Sequence, residues 1–125
     1  ATARMLGRNG TKRARVESNN GGRGFARAVK RILRTTMKNF ICAVEYFTQT
    51  ENKYSRIYSN SANVMSDVLM PEGWEHKWPG FHNALMSYRK DNKRRSQHDD
   101  APDCLTGVYE MHARRNNRKG IHQRN

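Results

Sequence analysis

The sequence predicts an α/β fold, and three observations predict it. Phe25, Val29, Leu33 and Met37 recur every four residues with Ile32 beside them, the spacing of a helix with one apolar face. The run at 40–47 (FICAVEYF) has the length and apolar content of a buried strand. A shorter run at 14–17 precedes a glycine turn and reads as a strand end, so strand, helix and strand follow one another as in α/β proteins.

Taken in order, residues 1–13 form a basic, poorly defined lead-in. The strand at 14–17 stops at Ser18, Asn19, Asn20, Gly21 and Gly22, a cluster that signals a turn. The amphipathic helix follows, its opposite face carrying Arg and Lys. After the run at 40–47, residues 64–70 are β-branched and apolar enough for another strand, stopped by Pro71. Trp78, Phe81, Leu85 and Tyr88 fall at helical spacing. A charged loop covers 91–97. The last helix starts near Asp100, has Pro102 in its first turn and is expected to bury Leu105, Val108 and Tyr109. The polar, basic residues 114–125 are expected to fray.

Composition narrows the function. The 125 residues allow one domain, with 35 % apolar and 28 % charged residues. The mean hydropathy is −1.04. No stretch approaches the ~18 apolar residues of a membrane helix, and no signal-peptide pattern opens the chain. The first residue is Ala1 rather than Met, as expected of a processed or excised piece.

Lys and Arg number 24 against 11 acids, a net charge of +13, so nucleic acid is the first partner to consider and an anionic membrane surface the second. Eleven of the basic residues fall within 1–38, five within 39–92 and eight within 93–125. Cys42 and Cys104 are too few for a disulfide framework or a zinc site and read as small core residues in a reducing compartment.

The residues that could carry chemistry are acidic. Asp99, Asp100 and Asp103 crowd beside His98, and Asp100 and Asp103 are three apart at a helix start, so they share a face. Hard divalent cations take such oxygen ligands. Ordinary N-terminal capping uses the same residues, and spacing alone favours capping. Glu17 ends a strand beside a glycine turn, where α/β proteins place active-site groups. Residues 21–24 (GGRG) match neither the P-loop nor the dinucleotide fingerprint and read as a tight turn. Trp74 and Trp78 could stack on bases, but core packing of Trp78 is the stronger expectation.

Longer words change the weighting. Residues 16–27 (VESNNGGRGFAR) resemble a segment of the C-terminal nuclease domain of tailed-phage terminase large subunits. Residues 50–57 (TENKYSRI), 59–62 (SNSA), 68–74 (VLMPEGW) with His76, Trp78, Pro79 and Phe81, and 98–107 (HDDAPDCLTG) resemble further segments in the same order. Cys104 replaces a more usual alanine.

The resemblance covers about residues 14–112. It implies an RNase H-like mixed sheet flanked by helices, present here only in part because the first strands are missing. The family domain would span 14–113.

The implied activity is endonucleolytic cutting of concatemeric double-stranded DNA during genome packaging. It would use a two-metal site for Mg²⁺ or Mn²⁺ in the cytoplasm of a bacterial host. Glu17, Asp100 and Asp103 are the implied catalytic and metal-binding residues, with His98 and Asp99 as accessories. Two metals about 3.5–4 Å apart activate water and stabilise a leaving oxygen, and clustered carboxylates hold them. Arg23, Arg27, Lys93, Arg94 and Arg95 would hold phosphates, independently of sequence. The small terminase subunit and the portal protein are the implied protein partners, and no membrane is involved.

In the family an aspartate on an earlier strand completes the site. None of the sixteen residues before Glu17 is acidic, and the chain carries no Walker motif. The chain is therefore expected to cut weakly or not at all on its own. A catalytically inactive basic module that binds nucleic acid is the alternative, and a structural module of a packaging motor is a third class.

Overall fold

The computed structural model describes residues 1–89 and 99–122. The chain is mixed α/β and mostly helical, with one two-stranded parallel sheet among the described residues. It forms two compact units, Ala1–Thr50 and Glu51–Asn125.

The first unit is built as α1 (Thr2–Arg8), β1 (Arg13–Glu17), a 3-10 turn (Asn19–Gly21), α2 (Gly22–Thr35) and β2 (Ala43–Phe47). The strands pair in parallel, with Arg13 opposite Ala43 and Glu17 opposite Phe47. Parallel strands need a crossover, and α2 supplies it. Its Val29 and Leu33 join Ala3, Leu6 and Cys42 in the core, with Ala14, Met37 and Val44 packed against them. Leu33 and Cys42 are fully buried.

Three expectations are corrected in this unit. Residues 1–13 are not an ill-defined lead-in, because α1 places Ala3 and Leu6 on one helical face and buries both. The four-residue recurrence overstates the apolar stripe of α2. Phe25 and Ile32 are half exposed, while Ala26 is buried in their stead.

The strand expected over 40–47 begins only at Ala43, and Phe40 and Ile41 are 71 % and 73 % exposed. Side chains outcompete the ladder here. The Asn39 side-chain oxygen accepts from the Ile41 and Cys42 amides (3.0 and 3.1 Å). Arg34 in turn donates to the carbonyls of Asn39 and Cys42 (2.6 and 2.8 Å). Asn in such turns satisfies backbone groups that a strand would otherwise need to pair.

The second unit is helical: α3 (Lys53–Asp67), α4 (Trp74–Lys77), α5 (Pro79–Ser87) and α6 (Asp100–His122). Asn52 caps α3 by accepting from the Ser55 amide (3.1 Å). The strand expected at 64–70 is absent. Residues up to Asp67 continue α3, and the helix ends on Val68 in extended conformation shortly before Pro71. Two valines in a short window are a weak β signal once an N-capped helix already runs into it.

Pro79 opens α5 in its first turn. Trp78, expected in the core, is 43 % exposed. Trp74 packs instead, edge-on to Phe81 and His82 with ring centroids 6.2 and 4.9 Å apart.

On α6 the buried residues include Ala101 and Thr106, whereas Val108 is 56 % exposed and Leu105 and Tyr109 are half-buried. The Thr106 hydroxyl donates to the Pro102 carbonyl (2.8 Å), which lets a polar residue pass into the interior. Cys104, expected in the core, is exposed. The α6 backbone is helical to His122, beyond the Arg114 at which fraying was expected. No helix among the described residues is long and apolar enough to cross a membrane.

Candidate functional site

Glu17 is the last residue of β1 and is exposed. Its Oε1 accepts from Asn19 Nδ2 (2.9 Å), and the same amide reaches the Gln49 carbonyl (3.3 Å). The Ser18 amide donates to the Phe47 carbonyl (2.7 Å), and the Ser18 and Thr48 hydroxyls pair at 3.1 Å. The ends of the two strands are thus tied together beside the carboxylate.

The turn then reverses sharply. Asn20 and Gly21 take positive φ, at 53° and 90°. Asn tolerates that region and Gly adopts it freely. Gly22 starts α2 with ordinary helical angles, and its role is spatial. A Cβ there would lie 1.6 Å from the Glu17 carbonyl oxygen. The turn is tight, as read from the residues, because helix and strand touch backbone to backbone.

Arg23 and Arg27 are exposed on α2. The Arg23 guanidinium lies 4.9 Å from the Tyr46 ring centroid, and Arg15 lies 4.1 Å over Phe47. Arg23, held over its ring, remains exposed to solvent-borne phosphates.

The acidic word opens α6 in the second unit. Asp100 is exposed at the first helical position, and both Asp100 and Asp103 lie in the first turn, where the helix dipole favours negative charge. Asp99 Oδ1 is 3.3 Å from Lys53 Nζ. Asp103 is held twice, with Oδ2 3.3 Å from Lys53 Nζ and Oδ1 against Arg56 Nη2. Arg56 also pairs with Glu110 Oε1 through Nη1 (2.5 Å). His98, Lys93, Arg94 and Arg95 lie outside the described residues.

Glu17 belongs to the first unit, and Asp99, Asp100 and Asp103 to the second. Among the described residues, no group of three or more His, Cys, Asp or Glu side chains is disposed to hold a metal ion.

Sequence reasoning missed Lys53, Arg56 and Glu110. The available signal was spacing. Lys53 and Arg56 are three apart, and Asp103 and Glu110 are seven apart, so each pair shares a helical face.

Tyr88 neighbours this cluster. Burial pushes its hydroxyl above the ordinary value near 10, and the charges of Asp99 and Tyr54 push the same way, against Lys53. The folded protein therefore keeps this proton to higher pH than the unfolded chain does. Its contribution to stability is full below about pH 10 and is lost as pH rises through the folded value. Alkaline unfolding of Tyr88→Phe should accordingly be shallower above pH 10 than that of the parent. Equal slopes in the two proteins would refute the assignment.

Compared with protein-family models, with curated proteins and with solved structures, the chain matches none.

Proposed function

We propose that this chain belongs to a tailed-phage terminase nuclease domain, an RNase H-like, metal-dependent endonuclease acting on double-stranded DNA in the bacterial cytoplasm. One observation carries the reading. Glu17 presents an exposed carboxylate at the carboxyl end of a parallel strand, in a turn that Gly22 alone among residue types can close. The words at 16–27 and 98–107 resemble the family at these two points of the chain.

The donor chemistry suits Mg²⁺ or Mn²⁺, which prefer carboxylate oxygen. The resemblance assigns Glu17 of the first unit and Asp100 of the second to it, and each is an exposed carboxylate within its own unit. Asp103 fits less well, since each of its oxygens already meets a cation. When bound, the metal would activate water and stabilise a leaving oxygen. The chain's own residues do the rest. Asn19 fixes the Glu17 carboxylate by donating to Oε1. Arg23 and Arg27 would take phosphates without reading bases. The small subunit and portal protein remain the partners that this reading implies.

Titration calorimetry with Mn²⁺ tests it. Binding to the 125-residue chain should vanish in Glu17→Ala with Asp100→Ala. The net charge of +13 and the exposed cations of α2 favour one competing reading, an inactive module that binds nucleic acid. In that case the chain binds DNA in a salt-sensitive way, binds no Mn²⁺, and is indifferent to Glu17→Ala.

A further inference from the structure

The geometry points to one face of α2 as a track for the phosphate backbone of a nucleic-acid duplex, with Lys30 and Arg31 joining Arg23 and Arg27 as the residues that grip it. The inference rests on the nucleic-acid partner of the reading above. It adds where the duplex lies and how many contacts hold it.

Residues 18–44 include six cations and no acid. Five of the six stand on α2. Arg23, Arg27, Lys30 and Arg34 follow at intervals of four, three and four, which on a helix makes a nearly straight row about 16 Å long. Arg31 widens the row, and all five fall within an arc of about 100°. Ala26, Val29 and Leu33, the buried residues of α2, occupy a different arc, so the row lies clear of the core. Arg23, Arg27, Lys30 and Arg31 are exposed. Arg34 is half-buried and spends its guanidinium on the carbonyls of Asn39 and Cys42. Four cations are left for a partner.

This row works against its own helix. Like charges three and four residues apart destabilise a helix. The first turn of α2 holds Arg23 and no acid, against the helix dipole. Among the described residues, Arg27, Lys30 and Arg31 form no ion pair. An external partner with closely spaced negative charge relieves all of these at once.

The surroundings of the row select the partner. A lipid surface takes a helix whose apolar side lies beside its cations. Phe25 and Ile32, the large exposed apolar residues of α2, stand roughly 150–175° round the helix from the middle of the row. A single strand is held by rings that stack on its bases. The row itself has no ring, and Tyr46 beside it already lies under Arg23. A duplex keeps its bases stacked and offers its phosphates, which sequence-independent cations can use. Arg23 to Arg31 span about 12 Å, and one strand of a duplex carries about one charge per 3.4 Å of axis, so four cations meet about four phosphates.

The test is binding of a short mixed-sequence DNA duplex to the 125-residue chain, read by fluorescence anisotropy in EDTA over a salt series. Arg27→Gln, Lys30→Gln and Arg31→Gln should each lower the slope of log affinity against log salt by about 0.9, and the triple variant by about 2.7. Gln keeps the helix propensity, and circular dichroism checks every variant. Lys77→Gln makes the same charge change at an exposed lysine of the second unit and should leave the slope unchanged. The duplex should bind more tightly than a single strand of the same length. A triple variant with the parent's slope, an equal drop in Lys77→Gln, or tighter binding of the single strand overturns the α2 track and leaves the nucleic-acid reading standing. If the triple variant loses helix content, the three single variants decide. A parent chain that binds no duplex at low salt overturns the nucleic-acid reading and this inference with it.

Discussion

Gly22→Ala should unfold the first unit, while Gly24→Ala, two residues along the same helix, should stabilise it by about 0.5–1 kcal/mol. Both glycines lie in the first turn of α2, so propensity treats them alike. Space separates them. A Cβ at Gly24 meets nothing within 4 Å, whereas one at Gly22 falls 1.6 Å from the Glu17 carbonyl oxygen and 2.7 Å from its carbonyl carbon. The obstacle is backbone, which cannot swing away as a side chain would. Relief requires moving α2 off β1, with loss of the packing of Val29 and Leu33 on Ala14 and Val44.

Overpacking typically costs about 1–3 kcal/mol, and a backbone collision belongs at or above the top of that range. A unit of this size has little more than that to lose. Cys42 reports the outcome because it is fully buried, whereas Cys104 is exposed. A thiol reagent should add one label to the parent and to Gly24→Ala, and two to Gly22→Ala. A Gly22→Ala chain that takes one label and melts with the parent would mean that the turn is built otherwise.

The same turn shows how far the sequence could be read. Local chemistry was legible: the Asn and Gly cluster at 18–22 announced a reversal, and the four-residue recurrence announced α2. The start of α6 at Asp100 was legible from its acids and Pro102. Decisions made by distant partners were not legible. Phe40 and Ile41 look like strand core, yet Asn39 and Arg34 hold their backbone in a turn. Val108 looks like core, yet Thr106 is buried, its hydroxyl bonded to the Pro102 carbonyl, and Val108 is exposed.

For the candidate residues the local settings were legible: Glu17 at a strand end, Asp100 and Asp103 in the first turn of a helix. Their ion pairing was not. Which of Asp99, Asp100 and Asp103 is neutralised depends on Lys53 and Arg56, about fifty residues earlier, and no local pattern encodes that pairing.

Arg56→Met should destabilise the second unit by roughly 3 kcal/mol, near the lower end of what breaking a buried ion group costs. The lower end applies because the stranded side chains of Asp103 and Glu110 retain 18 % and 21 % exposure, which gives water some access. Lys53→Met should lose under about 1 kcal/mol, since its pairs lie in side chains near 40 % exposed on the lysine side. Chemical denaturation followed by circular dichroism separates these values.

The decisive comparison is the triple replacement Arg56→Met, Asp103→Leu and Glu110→Met. It removes all three charges together and leaves none uncompensated. If the network exists for stability, the triple variant is at least as unstable as Arg56→Met. If it exists to aim α6, the triple variant recovers to within about 1 kcal/mol of the parent, because apolar packing replaces buried ion groups without loss. Chemical denaturation of the triple variant beside Arg56→Met and the parent tells the two apart.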